Sequence, residues 1–242
     1  MGPIFLINTN LLRPRIAPLA LDYLAFSLTQ VGYCVRIFDL ALQTSPWSKK
    51  LLRQLKKEKP LLIGITLRNL DDCYFLSGKF LAGKIRWLVR WLKRHFSIPV
   101  GVGGVGYSLA PSGLLEYLGA DYGIYGDGEI SLIKLAWTLQ NARKPKIKEI
   151  EGVVLPGEKN PRPAVEELKN FSPKRRFVNN RLYFRLGGQM GIETKRGCDG
   201  KCIYCADLPA KGKKFRLRSP ESVVEELKQL VAQGIWAFHL CD

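Results

Sequence analysis

The sequence predicts an α/β protein in which a doubly wound parallel sheet is followed by the start of a second strand–helix unit. Short apolar runs alternate with amphipathic segments over residues 1–140, an order typical of parallel sheets covered by helices. Polar or glycine-rich loops follow the apolar runs, as expected where ligands bind beyond the carboxyl ends of strands. With 242 residues, 46% of them hydrophobic, the chain can bury one large core or two modest ones.

Five apolar runs are predicted to form the strands of the sheet. They cover residues 4–7, 34–38, 61–66, 100–102 and 122–125. Helices are predicted between them, because apolar residues recur there three and four positions apart. These helices cover residues 17–31, a basic stretch marked by Leu51, Leu52 and Leu55, and residues 78–96, 112–118 and 130–139.

Loops of unusual composition follow several of the predicted strands. They cover residues 8–13, 68–72, 103–108 and 126–129, and all are expected at the carboxyl edge of the sheet. Glycine permits the backbone to approach a large ligand closely, so this edge is the predicted binding site. A dinucleotide site is poorly supported, because a polar loop follows the first strand where that motif requires a glycine-rich turn.

Residues 141–188 are predicted to bridge two units and to pack against both. Five prolines interrupt this segment, and residues 152–155 are typical of a strand. A strand is then predicted at residues 191–195, and a second one, parallel to it, at residues 235–240. The helix between them is expected to begin at Ser219, a good N-cap. Its core-facing stripe is predicted to comprise Val223, Val224, Leu227, Leu230 and Val231.

The most specific motif is a set of three cysteines within eight residues, Cys198, Cys202 and Cys205. Iron–sulfur clusters are ligated by thiolates, and three thiolates on one loop can hold three irons of a four-iron cluster while the fourth iron stays open to substrate. Gly197 and Gly200 allow the backbone to fold closely around such a core. The spacing therefore predicts a four-iron cluster.

Other interpretations of the cysteines stay open. A zinc site needs four ligands and would have to recruit Cys241 or His239. A disulfide framework is poorly supported, because six cysteines in 242 residues is a low density and no secretory segment is visible. Cys34, Cys73 and Cys241 are interpreted as small core hydrophobes.

The three cysteines, with Tyr204 immediately before the last of them, resemble the signature of the radical S-adenosylmethionine (SAM) enzymes. The resemblance implies a [4Fe-4S] cluster on Cys198, Cys202 and Cys205, with S-adenosyl-L-methionine chelating the open iron. Reductive cleavage of its sulfonium would give a 5′-deoxyadenosyl radical, and Tyr204 would lie near the adenine. The resemblance also implies an electron donor such as ferredoxin or flavodoxin, and a partial TIM barrel of which this chain forms the first βαβ unit.

A five-stranded domain ahead of that signature, with Gly103-Gly104 after the fourth strand and residues 126–129 after the fifth, resembles the Rossmann or flavodoxin-like cobalamin-binding domain of the cobalamin-dependent branch of this family. The implied cobalamin contacts are Thr9, Asn10, Arg68, Asn69, Gly103, Gly104, Gly106, Gly126, Gly128 and Glu129. Many such domains supply a lower axial histidine from a dedicated loop, and neither His95 nor His239 lies in one. Bound cobalamin would therefore lack a histidine ligand on its lower face.

The net charge of the chain also limits which partners are plausible. The chain has 38 Lys or Arg and 21 Asp or Glu, a formal net charge of +17, and residues 174–218 contribute thirteen of the basic residues and three acidic ones. A positive surround suits a negatively charged cluster and an anionic cosubstrate, so we favour that interpretation, or a solvated basic face, over a nucleic-acid partner. No apolar run approaches the ~18 residues that span a bilayer. A cytoplasmic location is expected, where thiols stay reduced.

We predict three parts. Residues 1–143 form a cobalamin-binding-like domain, residues 144–188 an interdomain linker, and residues 189–242 the N-terminal part of a radical SAM domain. Because the chain holds only the first unit of the implied barrel, we expect a fragment, a split gene product or a truncated protein. Such a chain would need the rest of the barrel from elsewhere for catalysis.

The resemblance implies a cobalamin-dependent radical SAM enzyme, with C-methylation or another radical transformation of an unknown substrate as the expected reaction. One alternative is a methylthiotransferase acting on RNA or a ribosomal protein. That class uses three further cluster cysteines in its N-terminal domain, where only Cys34 and Cys73 are present. A nucleic-acid-binding module with a structural metal, and a domain of this fold that binds no cofactor, are the remaining alternatives.

Overall fold

The computed structural model describes residues 2–43, 46–72, 74–141, 144–159 and 161–242. Cys73, which was interpreted as a core thiol, lies outside these ranges. The main sheet has six strands: β1 (Ile4–Asn8), β2 (Val35–Asp39), β3 (Leu62–Thr66), β4 (Val100–Gly103), β5 (Tyr122–Ile124) and β6 (Val153–Val154). Their spatial order is β2-β1-β3-β4-β5-β6.

The first five strands are parallel, and β6 pairs antiparallel with β5. The predicted doubly wound sheet is therefore confirmed, with one antiparallel strand added from the segment that was expected to be a linker. The strand order reverses direction between β1 and β3, where the crossovers leave in opposite directions. In open α/β sheets this switch point forms a crevice beyond the carboxyl ends of the strands, and ligands bind there.

Within the described ranges, six α-helices accompany the sheet. They are α1 (Leu19–Gln30), α2 (Trp47–Glu58), α3 (Ala82–His95), α4 (Val105–Ser108), α5 (Pro111–Leu118) and α6 (Glu129–Gln140). One core lies between the sheet and α2, α3 and α5, and a second lies between the opposite face and α1 and α6. The prediction began α3 at residue 78, but residues 75–77 form a turn, Asp71 and Phe80 form an antiparallel bridge, and the helix begins at Ala82. The single turn α4 was not predicted.

The rest of the chain forms α7 (Asn180–Gly187), β7 (Met190–Ile192), β8 (Lys195–Arg196), α8 (Leu208–Lys211), β9 (Arg216–Leu217), α9 (Pro220–Ala232) and β10 (Phe238–Leu240). β7 and β10 pair in parallel, as predicted, while β8 and β9 form a short antiparallel pair. Ser219 caps α9 by accepting the Ser222 N–H at 3.2 Å. The helix α7 was missed, because the prolines before it suggested an irregular segment.

Two predictions about burial are wrong. Val224 and Val231 were placed on the core-facing stripe of α9, but they are 47% and 57% exposed. The stripe is narrower because the helix packs mainly through Leu230, with Val223 and Leu227 beside it. Cys34 was interpreted as a core thiol and is exposed.

A buried ion cluster joins α1 to α9. The Arg175 side chain, from the segment between the two, donates from Nε to Asp22 of α1 at 2.7 Å and from Nη1 to Glu226 of α9 at 2.6 Å. Arg218, directly after β9, binds the other Glu226 oxygen at 2.5 Å. Tyr23 also donates to Glu226, at 2.9 Å. Because all these side chains are buried, the cluster fixes how α1 and α9 meet.

We expect the substitution Arg175→Ala to lower the free energy of unfolding by about 3–5 kcal/mol, because it leaves the buried carboxylates of Asp22 and Glu226 without their shared cation. Urea denaturation followed by circular dichroism measures the loss. The matched control is Arg36→Ala, which breaks a partly exposed pair with Glu58 and should cost less than about 1 kcal/mol. Equal losses in the two variants would contradict the role assigned to Arg175.

Candidate functional site

The predicted ligand residues gather at the carboxyl edge of the sheet, but they divide between two cavities on its opposite faces. The first, which we call the switch-point cavity, has a volume of about 750 Å³. It collects Thr9 and Asn10 after β1 and Arg68 and Asn69 after β3. The rest of its wall is mixed: it includes apolar residues such as Trp47 of α2 and the charged residues Asp72, Lys79 and Lys84. The switch point of the sheet therefore carries a cavity at the position that its topology predicts.

The second cavity, about 150 Å³, lies against the face covered by α1 and α6. Gly64 of β3 and Gly101 of β4 are cross-strand neighbours in it, and Thr66 and Gly103 form the next pair along the same face. We call this the glycine slot. A Cβ at Gly101 would meet no atom beyond its chain neighbours closer than 3.8 Å, whereas a Cβ at Gly64 would lie 2.9 Å from Leu6 Cδ2. The slot therefore exists because Gly64, Gly101 and Gly103 carry no side chain, and it would admit a narrow part of a ligand.

The predicted glycines and Glu129 after β4 and β5 border this second cavity. Its wall includes Gly103, Gly104, Gly126, Gly128 and Glu129. Gly106 lies in neither cavity. Its N–H donates to the Arg68 carbonyl at 2.9 Å, and a Cβ there would lie 2.9 Å from the same oxygen. Gly106 thus packs the loop after β4 against the loop after β3.

Gly64 and Gly101 were not singled out from the sequence. Both lie inside predicted strands, where glycine has no side chain to pack and often marks a close approach of another group. That signal was present, but a single glycine in an apolar run does not show which face it is on. The register of β3 against β4 is what places the two side by side.

The three cysteines lie on an exposed loop between β8 and β9. The Gly200 N–H donates to Cys198 Sγ at 3.4 Å, and a Cβ on Gly200 would lie 3.2 Å from Cys198 Sγ and 3.7 Å from Cys202 Sγ. Cys205 N–H donates to the Cys202 carbonyl at 3.1 Å, which closes a turn between those two residues. Tyr204 is 87% exposed. The loop thus presents its thiols and Tyr204 to solvent.

Glycine is required at the start of this loop. Gly197 has a φ of +86°, and a Cβ would lie 1.9 Å from the Lys214 carbonyl oxygen. Gly197 therefore lets the loop leave β8 in close contact with the segment that carries Lys214. Across the described ranges, no three His, Cys, Asp or Glu side chains converge closely enough to hold one metal ion.

A second buried ion cluster lies between the cysteine loop and the turn after β5. Arg196 donates to Glu129 at 2.7 and 3.1 Å and to Asp127 at 3.2 Å. Arg216 binds the other oxygen of Asp127. Burial acts to raise the pKa of Glu129, but the charge and hydrogen bonds of Arg196 hold that pKa below its usual value.

This pairing changes how the basic charge around the cysteines is understood. Four arginines of the basic stretch, Arg175, Arg196, Arg216 and Arg218, are buried and bound to carboxylates. The sequence suggested that such residues create a positive surround for the cluster. That interpretation is wrong for these four, because their charge is balanced by acidic residues from other parts of the fold.

Comparison with known proteins follows the same division of the chain. A profile of the B12 binding domain family matches residues 8–136. The chain belongs to the B12-binding domain family. The matched residues run from the end of β1 to α6, so the B12-binding domain contains both the switch-point cavity and the strand glycines of the slot.

The similarity between this chain and curated proteins extends beyond the B12-binding domain. The chain is 31% identical to a tryptophan 2-C-methyltransferase of Streptomyces laurentii, over 100% of this chain and 49% of that protein. It is 29% identical to a hopanoid C-3 methylase of Methylococcus capsulatus, over 92% of this chain and 42% of that protein. The chain therefore spans about half the length of the curated relatives it matches.

A solved structure gives the same result for the fold. The radical S-adenosylmethionine methyltransferase TsrM from Kitasatospora setae, with cobalamin and a [4Fe-4S] cluster bound, superposes with a TM-score of 0.88 at 32% identity. The alignment covers 100% of this chain and 48% of that one. The predicted resemblance to cobalamin-dependent radical SAM proteins is thus confirmed for the B12-binding chain. In the described part of the chain, no helix is both long and apolar enough to cross a membrane.

Glu166 is a titrating group at this site. Its Oε1 accepts the Ile130 N–H at 2.6 Å, in the first turn of α6. Burial, together with the charges of Glu129 and Asp127, raises its pKa to about 7. A carboxyl whose folded pKa lies above its unfolded value favours folding at low pH, and this contribution disappears as the pH rises through the folded pKa.

We therefore expect Glu166→Gln, which keeps an acceptor for Ile130 and cannot ionise, to gain thermal stability over the unmodified protein as the pH rises from 5 to 8. Melting temperatures across that range measure the difference. The control is Glu167→Gln, which removes a carboxylate from the next residue, at an exposed position, and should not reproduce this gain. A Glu166→Gln curve parallel to the unmodified one would contradict the raised pKa.

Proposed function

We propose that the protein containing this chain is a cobalamin-dependent radical SAM methyltransferase. The observation that carries the proposal is that the cysteine loop and the glycine slot lie next to each other. The helix α8 lies within the cysteine loop, after Cys205, and its Ala210 and Lys211 form part of the wall of the cavity that contains the glycine slot. The loop that carries the exposed thiols therefore also forms part of the wall of this cavity at the sheet edge.

The residues have distinct parts in this proposal. Cys198, Cys202 and Cys205 hold a [4Fe-4S] cluster, and Tyr204 contacts S-adenosyl-L-methionine. The residues at the sheet edge, from Thr9 to Glu129, hold cobalamin, with a narrow part of it in the slot at Gly101. When bound, the cluster would supply the electron that cleaves one S-adenosyl-L-methionine to methionine and a 5′-deoxyadenosyl radical, and cobalamin would carry the methyl group of a second, which would leave as S-adenosylhomocysteine. The protein excludes water by burying the slot wall and positions the loop through its arginines.

The relatives support methyl transfer and leave the acceptor open. One of them is named for tryptophan and another for a hopanoid, so related proteins carry out methylation on chemically different carbon centres. We further propose an electron donor such as ferredoxin or flavodoxin, and a cytoplasmic location, because an oxygen-sensitive cluster persists where thiols stay reduced. Residues 1–143, 144–188 and 189–242 remain the proposed domains.

The methylthiotransferase alternative is not favoured. It requires three further cluster cysteines in the N-terminal domain, and Cys34 and Cys73 are the only cysteines there. The curated relatives that align over nine-tenths or more of this chain are a methyltransferase and a methylase. A nucleic-acid-binding module with a structural metal is likewise not supported, because four of the arginines that suggested it are buried in ion pairs.

Anaerobic reconstitution with iron, sulfide and hydroxocobalamin tests the cluster assignment. We expect about four irons per chain and bound corrinoid, with loss of iron when Cys198, Cys202 and Cys205 are all changed to alanine. Cys34→Ser, at an exposed cysteine outside the motif, should keep its iron. Stoichiometric zinc, or equal iron in the triple variant, would overturn the assignment. Metal analysis and visible absorption provide the readout.

Filling the slot tests the cobalamin assignment separately. The substitution Gly101→Val places a branched side chain where cobalamin is proposed to enter, in a strand position that suits valine. We expect at least a tenfold loss of corrinoid affinity, about 1.4 kcal/mol or more, with little change in melting temperature. Gly113→Ala, on the exposed side of α5 with open space around it, should bind normally. Unchanged affinity in Gly101→Val would remove cobalamin from the slot.

The reaction itself is tested with the reconstituted, full-length protein. S-adenosylhomocysteine should form from S-adenosyl-L-methionine under reducing conditions, because loss of the methyl group leaves that product. Formation should depend on added cobalamin and on the three motif cysteines. The same yield in the triple alanine variant, measured by mass spectrometry, would contradict methyl transfer at this site.

A further inference from the structure

Each stem of the cysteine loop carries a buried arginine. The loop covers residues 197–215, with β8 before it and β9 after it. Arg196 is the last residue of β8 and Arg216 the first of β9, and the two are paired across the strands. They are 9% and 6% exposed, whereas the three cysteines between them are exposed. The loop is therefore anchored at its base and open at its tip.

Both arginines bind the same carboxylate. Asp127 Oδ1 accepts from Arg196 Nη1 at 3.2 Å, while Asp127 Oδ2 accepts from Arg216 Nη1. Asp127 Oδ2 also accepts the Glu166 N–H at 2.8 Å. One side chain of the turn after β5 thus bridges the two ends of the cysteine loop.

Further contacts restrain both arginines, although Arg216 Nε is buried without a hydrogen-bond partner in the described part of the chain. Arg196 also donates hydrogen bonds to Glu129 and, at 2.9 Å, to Glu193. Arg216 donates to the Glu166 carbonyl at 2.8 Å and to the Lys211 carbonyl at 2.5 Å. Buried charged groups bound in this way exchange partners only at a high cost in free energy. The loop stems therefore follow Asp127 if Asp127 moves.

We infer that Asp127 is a positioning residue: by binding Arg196 and Arg216 together, it fixes the cysteine loop relative to the glycine slot. Asp127 itself lines the cavity that contains the slot, beside Arg196 and Lys211. Its role in holding a cluster at a set distance from cobalamin rests on the proposed function. Its role in holding the loop does not, and the two are tested separately.

The structural role is tested on the protein without cofactors. Asp127→Asn keeps the shape of the side chain, but its NH2 group cannot accept a hydrogen bond, so one of the two arginines loses its acceptor. We expect backbone amides in residues 197–215 to exchange with deuterium about tenfold faster, because a charged hydrogen bond that closed the loop is lost. The matched control is Asp22→Asn, which neutralises the buried carboxylate of the other ion cluster. In this control, the exchange rate of the loop amides, divided by that of amides that exchange only on global unfolding, should equal the ratio in the unmodified protein.

A second variant covers the case in which Asp127→Asn does not fold. Arg216→Lys keeps the cation but cannot reach Asp127, Glu166 and Lys211 together, so it should release the β9 stem alone. Faster exchange in the half of the loop next to β9, with the half next to β8 still protected, is the expected result. Unchanged protection throughout the loop in both variants would overturn the inference.

The functional role is tested on the reconstituted protein. In the unmodified protein, magnetic interaction between reduced cluster and paramagnetic cobalt should appear in the electron paramagnetic resonance spectrum. In Asp127→Asn this interaction should weaken or broaden while iron and corrinoid contents stay the same. An unaltered spectrum together with faster loop exchange would remove the link to cofactor spacing. Absence of cluster or corrinoid from the unmodified protein would instead overturn the proposed function and leave the exchange result standing.

Discussion

The relative position of the two halves of this chain depends on one buried cation, Arg175. It is the largest side chain among those buried to less than 2% exposure. Its donors bind Asp22, Glu226, the Gly191 carbonyl at 3.1 Å and the Asn180 amide oxygen at 3.3 Å. A guanidinium removed from water is tolerated only when its donors are satisfied in good geometry. Since the partners come from α1, α7, β7 and α9, only one arrangement of these elements satisfies it.

The cluster around Asp127 positions a smaller part of the molecule than the Arg175 cluster does. The Arg175 cluster sets where α9 and β7 lie against the first domain, and the Asp127 cluster then sets where the cysteine loop leaves β8 and returns at β9. A third polar contact, in which Tyr183 of α7 donates to Asp39 at 2.6 Å beside Asn8, joins α7 to the ends of β1 and β2. Burial and the neighbouring Asp39 raise the pKa of the Tyr183 hydroxyl, so the tyrosine stays a neutral donor. All three contacts lie where the sheet edge faces the second unit.

The sequence predicted the local parts of this structure well and the junction poorly. The strands β1 to β5 and the helix α9 follow from apolar spacing, N-caps and glycine, which act over a few residues. The ion pairs do not, because Arg175 and Asp22 are 153 residues apart and Arg216 and Asp127 are 89 apart. From the sequence alone, the number of basic residues in this region indicated a positively charged surface. The motif of Cys198, Cys202 and Cys205 was readable because all its members lie on one loop, whereas the pairing of Gly64 with Gly101 depends on strand register.

The segment between the domains determines whether Asp127 can act at all. Gly126 has a φ of +83°, and a Cβ there would lie 2.3 Å from the Ala164 carbonyl oxygen, so the turn after β5 packs directly against the segment that contains Ala164. The Asp127 N–H donates to that carbonyl at 3.0 Å, and the Ala164 N–H donates to the Tyr125 carbonyl at 2.9 Å. These backbone contacts fix the turn that carries Asp127, and the Glu166 N–H, two residues after Ala164, binds Asp127 Oδ2 at 2.8 Å. The carboxylate that holds both stems of the cysteine loop is therefore itself held by the segment around Ala164.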